Sequence, residues 1–284
     1  VSTVDVFTPV VDAPADFGRV AAVNAASDAF ATGAVDDVAC LAVLGLPRDL
    51  TGVAAEILSG MLTALRGMDG VIAGGHTILN PWPLAGGAIT ATASRDVLLT
   101  TTGARPGDHL YLTKPLGTQP AMGALRVSDG EFADTVADAT DPDIEAVGQE
   151  AYRWMVHPNR AAALAVRELA TAATDVTGFG LLGEASTIAT RSGVGIELTE
   201  LPVIEGTPSL SDLFGYGLVA GESAETSGGL LVAVDDDQTA ALEAALDDAD
   251  VFHRAVGRVT EGAGARLVEP AIDQIPVGTA PLPE

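Results

Sequence analysis

The sequence predicts an α+β protein folded as two domains, and three observations carry that prediction. Strand-like apolar runs alternate with stretches of helical spacing along the whole chain. At 284 residues the chain is long enough for two domains of ordinary size. Gly and Ala are abundant while aromatic residues make up only 4 %, which suits small-residue helices packed closely on sheets.

The elements follow in order. The chain opens on Val1 and is in a strand-like run by Thr3, so the first domain is expected to be incomplete at its start. A helix is entered near Asp12-Ala13-Pro14, with Pro in its first turn, and runs to about Thr32, where Gly33 is a natural stop. Residues 38–46 read as a buried strand closed by Gly45-Leu46-Pro47. From Thr51 to Met68 the spacing is helical, with Ile57, Leu58, Met61, Leu62 and Leu65 on one face. A short strand, Val71-Ile72-Ala73, is expected to run into Gly74-Gly75-His76, and residues 84–93 form another. The turn cluster Gly103 through Asp108 leads into the strand His109 through Leu112, and the domains are divided as residues 1–98 and 99–284. Helical patterns then fall at about 117–127, 131–138 and 143–171, with mixed elements to about 268. The tail from Pro270 to Glu284 is Pro-rich and expected to be extended.

Charge narrows the function. The net charge of −25 and a pI near 4.2 set up a field that repels phosphate backbones and anionic lipid, which disfavours nucleic-acid and membrane-surface binding, and neither partner is expected. No apolar stretch approaches the ~20 residues of a membrane span, and no signal-peptide pattern is present, so a cytoplasmic protein is expected. The acidic residues are scattered and Lys is scarce, the pattern of a salt-adapted, halophilic surface. An ATP-handling protein of this charge must place cations such as Mg²⁺ between its carboxylates and the phosphates. The single cysteine, Cys40, sits in the apolar run 38–44 and reads as a buried structural thiol.

Several segments carry candidate chemistry. Asn24 and Asp28 lie four apart, on one face of an otherwise apolar helix. A carboxylate there is either a metal ligand or an exposed or capping side chain. Gly74-Gly75-His76-Thr77 is either a plain turn or a place where backbone approaches a ligand, and no P-loop occurs in the chain. Asp175 stands in the glycine-rich run Thr174 through Gly183, a second candidate metal ligand or a capped junction. Thr226 through Leu231 is a small-residue turn before a strand. Lys114 either faces phosphate or buries its stem and keeps its amine in water.

Taken in order, these segments resemble selenophosphate synthetase (selenide, water dikinase), a family of the aminoimidazole ribonucleotide synthetase-like superfamily. The resemblance rests on Val4 through Asp12, Asp16 through Arg19, Asn24 through Asp28, Gly74 through Ile78, Leu112 through Gly117, Thr174 through Gly183 and Thr226 through Leu231. It implies two α+β domains, a homodimer formed through the N-terminal sheets, and ATP bound between domains and subunits. It implies a reaction that turns selenide, ATP and water into selenophosphate, phosphate and AMP with several Mg²⁺ ions. Asp28 and Asp175 would then hold Mg²⁺, Asp5 would contact the nucleotide or its metals, and Gly74, Gly75 and His76 would line the ATP site. The family's Gly-rich segment with its catalytic Cys or selenocysteine, its Lys and a further Asp is not among these residues, so no catalytic residue is assigned. Gln119, Glu184 and Ser223-Ala224-Glu225 also depart from the family pattern. A non-catalytic ATP-Mg-binding relative, or a kinase of the same superfamily with another substrate, are the alternative expectations.

Overall fold

The computed structural model describes residues 1–282; Pro283 and Glu284, the last two residues of the expected extended tail, lie outside the described residues. The chain begins with β1 (Ser2–Phe7), α1 (Pro14–Ala31), β2 (Asp36–Leu46), α2 (Ala54–Gly67), β3 (Val71–Leu79) and β4 (Leu84–Thr92). These build a four-stranded sheet in the order β1-β4-β2-β3. Only the β2–β3 pair is parallel, because α2 carries the chain back over the sheet between them.

Helix α1 is buried on almost every side, which explains why its sequence lacks an apolar stripe. It packs on α2 so closely that a Cβ on Gly18 would stand 2.0 Å from the Ile57 carbonyl oxygen, and one on Gly60 1.8 Å from that of Ala15. Glycine at both places is what lets the two backbones touch. At the other end Phe30 is fully buried, a contribution of about 2–3 kcal/mol.

The rest of the chain supplies β5 (His109–Leu112), α3 (Thr118–Val127), α4 (Ala133–Ala137), α5 (Ile144–Val156), α6 (Arg160–Val166), β6 (Ala170–Asp175), α7 (Gly180–Ser192), β7 (Gly195–Ile204), α8 (Thr207–Phe214), β8 (Leu230–Val234), α9 (Thr239–Asp248), β9 (Arg254–Thr260) and β10 (Gly264–Ile275). Six strands join in the order β10-β7-β9-β5-β8-β6. Their side chains divide strictly by alternation. Tyr111, Leu230, Val232 and Val234 enter the core that also holds α1, while Leu110, Leu112, Leu231 and Ala233 pack with Leu181, Ala185 and Ile188 of α7.

Two expectations are corrected. The single helical run at 143–171 is two helices and the start of a strand, broken at His157-Pro158-Asn159, because Pro158 has no N–H to continue α5. Gly74-Gly75-His76 does not follow a short strand but lies inside β3, which continues to Leu79.

Candidate functional site

The C-terminal end of β6, the middle of α1 and the outer strand β1 meet at a group of carboxylates. Asn24 on α1 is its organiser: its Nδ2 donates to Asp5 Oδ2 on β1, and its Oδ1 accepts from the Ser227 N–H at 2.8 Å. One amide thereby ties the first strand to the loop before β8. One turn further, Asp28 stands within hydrogen-bonding reach of Asp175 at the end of β6. Ser27 stands beside Asp175, favouring its charged form, and accepts from Asn159 Nδ2 at 3.0 Å, and the same Nδ2 reaches the Gly228 carbonyl at 2.8 Å. Glu184 of α7 completes the group, with the Thr174 hydroxyl 3.4 Å from its carboxylate.

Burial and mutual repulsion both raise the carboxyls of this group. Burial first, and then the Asp28 charge, raise the Asp5 carboxyl. Burial and the charge of Asp175 push Asp28 up to about 6; the residue as a whole is exposed, but the carboxyl it sends towards Asp175 is partly desolvated. Asp175 is raised by its own burial, against the opposing pull of Ser27 and Lys114. Glu184 is pushed up to about 7 by burial and by Asp175.

Among the described residues Lys114 is the cation set among these acids, and its tip is buried rather than solvated. The whole side chain is buried, with Nζ donating to the His157 carbonyl at 2.6 Å and the Ser227 carbonyl at 2.7 Å. Burial drives its amine down to about 7, opposed by the Asp175 charge. Asn159 falls inside the run expected to be helical at 143–171 and was missed, although Pro158 beside it was the available signal. Cys40 is buried as expected, its thiol pushed up to about 11 by desolvation.

Of the expected site residues, Asp5, Asp28 and Asp175 come together and Gly74, Gly75 and His76 do not join them within one chain. Asp5 pairs in register with Gly87, Gly87 with Ala42, and Ala42 with Gly75. Gly75 is therefore three strand spacings from Asp5, about 14 Å. His76 falls in the next row, with Val43, Gly86 and Val6, on the opposite, open face of the sheet.

The donor set fits a hard divalent cation, since every group is an oxygen donor and the carboxylates, raised by burial and by one another, would be relieved by a positive charge. Among the described residues no three side chains converge tightly enough to hold an ion unaided.

The sequence matches the AIR synthase related protein C-terminal domain over residues 105–269 and the corresponding N-terminal domain over residues 1–106. It is 43 % identical to selenide, water dikinase of Methanococcus maripaludis across 95 % of this chain and 83 % of that protein. The chain belongs to the selenide, water dikinase family. The dikinase of Methanocaldococcus jannaschii is 42 % identical over 94 % of this chain and 78 % of its own length. The fold recurs in thiamine-monophosphate kinase of Stenotrophomonas maltophilia, with a TM-score of 0.76 at 23 % identity over 95 % of this chain and 85 % of that one. The dikinase family's AIR synthase-like architecture is thus the one described above.

Proposed function

We propose that this chain is an ATP-dependent selenide, water dikinase that makes selenophosphate, releasing phosphate and AMP. The observation that carries the reading is the meeting of Asp5, Asp28 and Asp175, drawn from distant parts of the sequence, in a chain 43 % identical to a dikinase. Asp28 and Asp175 would hold Mg²⁺, with Asp5 beside them contacting the nucleotide or its metals. Bound there, Mg²⁺ would neutralise phosphate charge and stabilise charge developing on the transferred phosphoryl group. Asn24 keeps Asp5 aimed at the group, and Ser27 and Asn159 hold Asp175 in place.

The open face of the first sheet supports a homodimer. Val4, Leu41 and Val71 are 69 %, 51 % and 56 % exposed there, beside Val6 and Ile78. His76 lies on the same face, so in a dimer Gly74, Gly75 and His76 would reach ATP across the interface. The scattered acidic surface supports salt adaptation, with stability rising as KCl is added. A cytoplasmic setting suits a reaction that consumes ATP.

The test is calorimetric titration of Mg-ATP, with ³¹P NMR detection of selenophosphate in the native full-length protein. Asp28→Asn and Asp175→Asn should each weaken Mg-ATP binding by at least about tenfold, a loss of about 1.4 kcal/mol. Unchanged affinity in both variants at matched salt, or no selenophosphate from the native protein, overturns the reading.

A further inference from the structure

Cations are scarce in this chain, with 14 Lys and Arg against 39 Asp and Glu. Three of them nevertheless line one cavity of about 400 Å³: Arg19 of α1, Arg153 of α5 and Arg160 of α6. Arg19 precedes Asp28 by nine residues on the same helix, about 13 Å along its axis, so the Arg19 end of the cavity lies away from the carboxylate group, while His157, whose carbonyl accepts from Lys114, also lines it.

The acids near these arginines are mostly engaged elsewhere. Glu150 lies 3.9 Å from Arg153, beyond hydrogen-bond distance, and already accepts from Trp154 Nε1, the Thr279 hydroxyl and the N–H groups of Gly278 and Ala280. Asp16 lies 3.9 Å from Arg19 and accepts from the Tyr152 hydroxyl at 2.6 Å. Arg19 Nε is buried without a hydrogen-bond partner among the described residues. Arg160 is held by the Val35 carbonyl and by exposed Asp69 at 3.2 Å. Among the described residues, Asp250 is the one carboxylate that lines the cavity itself. The remaining wall is largely apolar, including Ala64, Val156, Ala161 and Leu164.

We propose that this cavity is a binding site for a phosphate monoester with an apolar or ring-bearing body. The dianionic head meets Arg19 and Arg153, whose planar guanidinium forks match phosphate oxygens in pairs. The body lies against the apolar wall, which excludes water from the contact and strengthens it. In a molecule whose overall field repels anions, such a pocket selects for ligands that bring both parts. Inorganic phosphate offers the head without the body.

Calorimetry of the full chain with phenyl phosphate in EDTA tests this, because without divalent metal the carboxylate group repels phosphate. The native chain should bind saturably, and inorganic phosphate should bind at least about tenfold more weakly. Arg19→Gln and Arg153→Gln should each cost about tenfold or more, the worth of a charge-assisted hydrogen bond. Arg105→Gln, on the exposed surface, should leave the affinity unchanged. Circular dichroism checks that each variant is folded, and retained Mg-ATP affinity in Arg153→Gln separates this site from the nucleotide site. Absence of saturation, equal affinity for inorganic phosphate, or native affinity in both cavity variants overturns the proposal.

Discussion

The two sheets of this molecule are finished differently. In the second, the central strands β5 and β8 are buried on both faces, one against α7 and the other against α1 and its neighbours. In the first, α1 and α2 cover one face only, and Val4, Leu41 and Val71 stand in the open on the other. A sheet that leaves β-branched and leucine side chains in water presents an apolar patch of the kind that interfaces cover. The covered sheet is closed within the chain, and the open one is the face on which the proposed dimer would form.

Charge placed in each sheet should break this contrast most sharply. Leu231→Asp buries an unpaired carboxylate between β8 and α7 and should abolish the folded state, lost as circular dichroism signal. Leu41→Asp on the open face should change protomer stability by under about 1 kcal/mol yet convert the proposed dimer to monomer in light scattering. A dimer that survives Leu41→Asp means the open face is not the interface.

A smaller effect lies in the covered half. Glu225 is buried and accepts from the Gly117 N–H at 2.7 Å, the Thr118 N–H at 2.8 Å and the Thr118 hydroxyl, capping the start of α3. Burial still raises its carboxyl from 4.5 to about 7, against those donors. A raised folded pKa gives stability that is complete below the unfolded value and is lost as pH climbs through the folded one. Urea titrations should therefore find the native protein losing stability relative to Glu225→Gln between pH 4.5 and about 7, by no more than about 3 kcal/mol. Parallel pH profiles would mean that Glu225 is already ionised in the fold.

The smallest contrast is between two adjacent glycines of the open sheet. A Cβ on Gly75, whose φ is 149°, would stand 2.0 Å from the Ala42 carbonyl oxygen, whereas one on Gly74 meets only the flexible end of Leu41 at 3.3 Å. Gly75→Ala should cost about 1–3 kcal/mol in thermal unfolding, and Gly74→Ala no more than about 0.5 kcal/mol. Equal costs would show that the β2–β3 contact yields.

Much of this was legible in the chain. The 2.0 and 3.6 periods placed most strands and helices to within a few residues, since they reflect local backbone geometry. The run Thr174 through Gly183 and the pair Asn24 and Asp28 marked the candidate ligands before any contact was known. The break at Pro158 was missed because the apolar spacing on either side continues in phase. The burial of Lys114 was missed because nothing near it in sequence supplies its acceptors, which are carbonyls of His157 and Ser227.

By itself the sequence determined the α+β class, the apolar character of α1, the motifs that hold the candidate acids, and an acidic surface that repels anions. Only the tertiary structure decided which acids meet, that Asn24 bridges Asp5 to Ser227, that His76 faces away from Asp5, and that three arginines from three helices share one cavity. The reason is that strand order and register are fixed by packing between distant segments. A periodic pattern says which face of an element is buried, and leaves open what it is buried against.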